Sequence, residues 1–314
     1  MLFAAMSVIW GTPYLLVKVA VKELSPSFIV CARTALAAIV LVSIAAKQDA
    51  LRPALRRWPW ILAFSTIEMG VPWLLVANAE RRLPSGITGL LIACVPLAAA
   101  IAGFFLGEAG ALRPIRLLGI AIGFAGVALL VSRDLGSRGA IPWGSVLAIM
   151  LVCVGYATAP FIADRKLNDV PTIGVIGVSL SFVAIAYLPA ATISLPDHHI
   201  SANAWWSVLG LAVICTGVAF VAFFALIAEV GPSRATLITF VNPAVAITLG
   251  AVFLSERITL STIGGFALVL TGCWCATRPL PQYATLVSVS EPRIATQHAN
   301  ERSDPHATGI SLGQ

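Results

Sequence analysis

Ten apolar runs follow one another from Met1 to Pro279, separated only by short polar turns. A helix rises ~1.5 Å per residue, so about 20 apolar residues cross a hydrocarbon core of ~30 Å. The runs cover 1–20, 27–46, 58–78, 85–107, 115–132, 140–163, 172–193, 203–228, 233–254 and 261–279. The connections hold a handful of residues, too few for an extramembrane domain with chemistry of its own. The pattern predicts an all-α integral membrane protein of ten transmembrane helices that does its work inside the bilayer.

Composition excludes the soluble classes. Hydrophobic residues make up 59% of the 314-residue chain and charged residues 11%, where soluble domains carry roughly 25% charged; the mean hydropathy is +0.93. The net charge of +6 comes from dispersed Lys and Arg that form no basic stripe, which argues against a nucleic-acid partner. Their placement speaks to topology instead. With the N-terminus inside, inner segments and the tail hold 12 of the 20 Lys and Arg, and outer loops hold 6. This bias predicts a multi-pass protein of the plasma or inner membrane with both termini cytoplasmic. Residues 1–20 lack a basic leader, and Lys18 stands where a small-residue cleavage site would lie, so no cleavable signal peptide is expected. All six cysteines fall within the apolar runs and read as packing residues, with no cofactor or metal expected. Residues 280–314 are polar and aperiodic, which predicts a disordered cytoplasmic tail.

The two halves repeat. Gly11 followed by Pro26 matches Gly155 followed by Pro171. Pro84-Ser85-Gly86-Ile87-Thr88 matches Pro232-Ser233-Arg234-Ala235-Thr236 at an offset of 148, which also carries Glu108 onto Glu256. Val95-Pro96 answers Asn242-Pro243, one residue out of step, and Gly119 and Gly126 have the spacing of Gly265 and Gly272. The collinear order over several spans marks a duplication, with repeats at 1–135 and 140–279. Five spans per repeat is an odd number, so the repeats lie in opposite senses across the bilayer. Inverted repeats are a recurrent plan of secondary transporters, with the substrate held near the midplane.

Trp10-Gly11, Lys18, Pro26, Arg33 and Gly107-Glu108 resemble the drug/metabolite transporter superfamily, EamA type. Phe253-Leu254-Ser255-Glu256-Arg257-Ile258-Thr259, running into Gly264-Gly265, resembles the same ending in the second half. The resemblance covers about residues 7–279 and implies a ten-helix exporter or permease of amino acids, related metabolites or drugs. One departure is that Glu108 and Gly119 stand 11 residues apart but Glu256 and Gly265 only 9.

Polar residues inside the runs are the candidate chemistry. Glu68 lies at the middle of the third run, where an ionised carboxylate costs several kcal/mol unless protonated, paired or wetted by a cavity. It reads as a proton-coupling carboxylate or a counter-charge for substrate, against a structural carboxyl bonded to a neighbouring helix. Ser65 and Pro72 share its face at helical spacing. Trp10, Tyr14 and Lys18 fall on one helix face at i, i+4 and i+8, a strip able to hold a zwitterion by the ammonium and the rings. Arg33 is a second intramembrane cation, although both it and Lys18 lie near enough to the outer face to snorkel. Thr239 and Asn242 stand beside the helix-breaking Pro243, where a freed carbonyl can meet a substrate amine or the amide can join helices. Tyr156 and Thr158 follow Gly155 in the span equivalent to the first. Glu108 and Glu256 read as solvated or bridging residues at helix ends, and His198-His199 as solvated.

Phosphate-binding loops, zinc-protease signatures and nucleophile elbows are absent from the sequence. Transport by alternating access, as proton-coupled export of amino acids or related small metabolites, is the expected function. The expected partners are a small-molecule substrate, membrane lipids and coupling protons. A multidrug, cation or nucleotide-sugar permease, or a non-transporting membrane scaffold, is the alternative.

Overall fold

A computed structural model describes residues 1–105, 113–132, 142–230 and 238–277, and every regular element among them is helical. Glu108, the stretch Pro232–Thr236 and the 280–314 tail lie outside the described residues. The first apolar run forms α1 (Leu2–Gly11) and α2 (Pro13–Ala20), parted at Thr12 because Pro13 supplies no amide hydrogen. α3 (Pro26–Lys47) starts with Pro26 in its first turn, and its cap Ser25 accepts a hydrogen bond from the Phe28 amide (3.2 Å). After the short α4 (Leu51–Arg56), the third run holds α5 (Trp58–Ser65), a π-helical turn at Thr66–Gly70 and α6 (Val71–Glu80). The fourth comprises α7 (Ser85–Ile92) and α8 (Val95–Phe105), followed by α9 (Pro114–Leu130).

The second half runs through α10 (Trp143–Lys166) and α11 (Thr172–Ile193), then α12 (Ala202–Ala212), a second π-helical turn at Val213–Val218, and α13 (Ala219–Val230). α14 (Ile238–Leu254) and α15 (Leu260–Ala276) complete it. Among the described residues, seven helical stretches are long and apolar enough to cross a membrane, and α9, α14 and α15 are shorter apolar helices. Large apolar side chains such as Ile39, Leu147, Ile185, Trp206 and Phe253 stand exposed on the outward faces. A soluble protein would not display so much apolar surface, whereas lipid tails solvate it. The chain is a multi-pass membrane protein.

Helix pairing is reciprocal between the halves. α1 packs on α14 as α10 packs on α8 and α7, and α2 packs on α12 as α10 packs on α6. Likewise α3 meets α12 as α11 meets α5, while α3 and α11, α7 and α14, and α9 and α15 pair with one another. The last pair depends on glycine. A Cβ on Gly272 would stand 2.5 Å from the Gly123 amide and 2.6 Å from the Gly119 carbonyl, so the backbones touch. Such small-residue contacts drive association where lipid removes the hydrophobic incentive. The largest buried side chains include Leu41, Ile61 and Met69 on one side, and Leu90, Leu97, Leu130 and Ile149 on the other.

Candidate intramembrane polar site

The π-turn of the third run has a local cause. Pro72 cannot donate to the Glu68 carbonyl, so the ordinary helical bond is missing there and the turn widens around Glu68. α10 then approaches closely, because a Cβ on Gly155 would fall 2.7 Å from the Ile67 carbonyl. That approach brings Tyr156 in beside the turn. Its hydroxyl is an electrostatic neighbour of Glu68, Tyr14 and Arg33 and lies at the Trp73 indole. Tyr14 in turn neighbours Arg33, Glu80 and Cys153, and its ring lies over Gly89 of α7.

Arg33 is the charged centre of this group. It is only 9% exposed, and its guanidinium carbon lies 3.7 Å from the centroid of the Trp73 ring. Its Nε donates to Thr216 Oγ1 at 2.8 Å, and that hydroxyl donates to the Leu211 carbonyl at 2.8 Å, five residues back in the second π-turn. Glu68 Oε2 is buried without a hydrogen-bond partner among the described residues. Three residues singled out from the sequence (Tyr14, Arg33 and Glu68) therefore lie within electrostatic range of a fourth, Tyr156, and Arg33 is held by Trp73 and Thr216, which sequence reasoning missed. Trp73 was hidden in an apolar run. Thr216 had a signal: it is the residue onto which the 148-residue offset carries Glu68.

The remaining candidates go elsewhere. Lys18 Nζ donates to the main-chain carbonyls of Glu80 and Leu83, the latter at 2.7 Å, and so clamps the end of α6. Trp10 joins an aromatic cluster with Phe223 and Phe220, at centroid distances of 4.6 and 6.2 Å. The Asn242 amide nitrogen, facing its acceptors, donates to the carbonyls of Ile238 (2.9 Å) and Ser7 (3.2 Å), which ties α14 to α1. Thr239 stands exposed on α14, and the Thr158 hydroxyl bonds back to the Val154 carbonyl at 2.9 Å. Ser65 is buried and donates to the Leu62 carbonyl at 3.0 Å. Glu80 was missed because the sequence reading ends the third span at Asn78. It is fully buried, and neither carboxyl oxygen has a hydrogen-bond partner among the described residues.

Carboxylates also organise the loops. At the end of α14, Ser255 takes a positive φ of 55° and turns the chain back on itself. Glu256 thereby accepts from the Ser85 amide (2.7 Å), the Ser85 hydroxyl (3.1 Å) and the Gly86 amide (3.0 Å), filling the open donors at the start of α7. It is the bridging residue of the sequence reading, with its partners now identified. Glu23 accepts from the Ser201 amide (2.7 Å) and hydroxyl (2.6 Å) at the cap of α12. These bonds, with His198 and His199 nearby, hold its carboxyl below the usual range. Asp169 is likewise lowered by its hydrogen bond from Arg57, at 2.7 Å, at the head of α5. Glu23 and Asp169 thus each grip the third run of the opposite half, and Glu256 grips the fourth run of the first half. No group of three or more metal-ligating side chains converges among the described residues.

Comparison with known proteins agrees with this layout. The model of the EamA-like transporter family matches twice, at residues 1–132 and 143–278. Uncharacterized transporter YvbV of Bacillus subtilis is 24% identical over 93% of this chain and 95% of its own. Uncharacterized inner membrane transporter YedA of Escherichia coli K12 is 28% identical over 84% and 85%. A solved crystal structure at 21% identity superposes with a TM-score of 0.62, covering 88% of this chain and 95% of its own, a likeness of fold.

Proposed function

Because the chain belongs to the EamA-like transporter family, we propose that it is a secondary active transporter exporting amino acids or related small metabolites in exchange for protons. On this reading ten spans form two inverted repeats, 1–135 and 140–279, with both termini cytoplasmic. The double family match and the reciprocal helix pairing support the duplication, since an inverted pair of equal bundles packs each element against its counterpart's neighbours. The observation that carries the function is the polar group at the meeting of the halves, with Tyr14, Arg33 and Glu68 from one and Tyr156 and Thr216 from the other. Polar groups in hydrocarbon are expensive and persist where a substrate or ion path uses them. Rocking the halves about this group would open it first to one face and then to the other.

The residue roles follow from the chemistry. Arg33 and Glu68, both electrostatic neighbours of Tyr156, present opposite charges suited to a zwitterion, while Tyr14 and Tyr156 supply walls. Glu68 also serves as the proton carrier. Lys18, Trp10, Thr239 and Asn242 act more peripherally, holding the helices that frame the path. The test is counterflow in proteoliposomes. Vesicles preloaded with each of the common unlabelled amino acids should draw in the matching labelled compound for at least one of them. Tyr156→Ala should slow that exchange at least tenfold while leaving the protein monodisperse. A panel in which no compound exchanges faster than in protein-free vesicles would refute the transport reading.

A further inference from the structure

Arg33 is a buried cation within the second apolar run. No carboxylate pairs with it among the described residues, and its electrostatic neighbours are Cys215, Tyr156 and Tyr14. Its Nε is committed to Thr216 and its face to Trp73, so its two Nη groups remain, and they make no hydrogen bond among the described residues. Lys18 offers no rival site, since its ammonium already serves two carbonyls. A guanidinium gripped at Nε and stacked on a ring can turn only its Nη edge to a ligand. That edge matches the two oxygens of a carboxylate.

We propose that the Nη edge of Arg33 is the anion subsite of the transport cavity and selects substrates bearing a free carboxylate over organic cations and neutral analogues. Thr216 is its positioning residue. The widened turn lets the Thr216 hydroxyl donate to the Leu211 carbonyl five residues back, which leaves an oxygen lone pair for Arg33 Nε. The fork is thereby fixed before substrate arrives, so little side-chain freedom is lost on binding. The assignment rests on the transporter reading above and narrows its substrate class.

The test compares free acids with carboxyl-capped partners. Purified full-length protein is melted with each common amino acid, with the corresponding amino-acid amide, and with tetraphenylphosphonium, because a ligand that binds the folded state raises the melting temperature. At least one free acid should stabilise the protein while its amide, of equal size, does not. Arg33→Lys and Thr216→Val should each weaken that acid roughly 10- to 100-fold, the loss expected for a charge-assisted hydrogen bond. Thr216→Ser, which keeps the hydroxyl, should restore it, a rescue that loss of packing would not give. Amides binding as tightly as acids, stabilisation by tetraphenylphosphonium alone, or no acid favoured over its amide would each overturn the assignment. If acids bind as expected but show no counterflow, the subsite stands and the transport reading fails.

Discussion

Two cations lie inside the first two apolar runs, and their surroundings separate them. Lys18 faces the Glu80 carbonyl at the end of α6, where the negative end of the helix dipole lies, and the Leu83 carbonyl in the turn that follows. Arg33 faces a ring and a hydroxyl with part of its fork to spare. Lys18→Met should therefore act on stability. Two charge-assisted bonds are lost, so the detergent-solubilised protein should unfold roughly 3 kcal/mol more easily, read as a lower midpoint in a thermal melt. Unchanged stability, with transport abolished, would return Lys18 to the substrate path. Sequence could find Arg33, Tyr14, Tyr156 and Glu68 because polar residues in apolar runs announce themselves. It could not separate Trp10 from Tyr14 and Lys18, because Pro13 parts the helix at Thr12 and breaks a strip drawn at ideal helical spacing. Nor could it foresee that Lys18, on the same helix as Tyr14, bonds to the carbonyls of Glu80 and Leu83.

Helix positions were legible at the level of elements because a bilayer leaves the backbone few other options. The two π-turns were not. A proline four residues past Glu68 marks the first only as a break in the helix, not as a widened turn, and the second is bonded from outside by Arg33 through Thr216. The loop grips were hidden too, since Glu23 and Ser201 are far apart in the chain. Their chemistry predicts a pH signature. Glu23 is held below its usual range in the folded protein, so its contribution is complete above the ordinary carboxylate range. It is lost as pH falls through the lowered folded value. Glu23→Gln should lower the melting temperature at neutral pH, and the gap to the parent should close on acidification. A gap of constant size across that range would show that the carboxylate charge contributes nothing.

In the whole molecule, each half supplies part of one polar group and each braces the third run of the other. A device built this way can change which face is open while keeping its central residues in register, as exchange of a proton for a metabolite requires. Glu68 lies where that exchange would be felt, at the widened turn, with one carboxyl oxygen that has no hydrogen-bond partner among the described residues. Glu68→Gln preserves its shape and abolishes its charge. The deciding measurement is accumulation of labelled amino acid by vesicles with an acidic lumen diluted into neutral buffer. The parent protein should concentrate at least one amino acid in the lumen until an uncoupler collapses the gradient. Glu68→Gln should fail to concentrate it while still exchanging labelled for unlabelled compound. Accumulation by Glu68→Gln at the parent's level, or none by the parent under either direction of gradient, would contradict proton-coupled export through this residue.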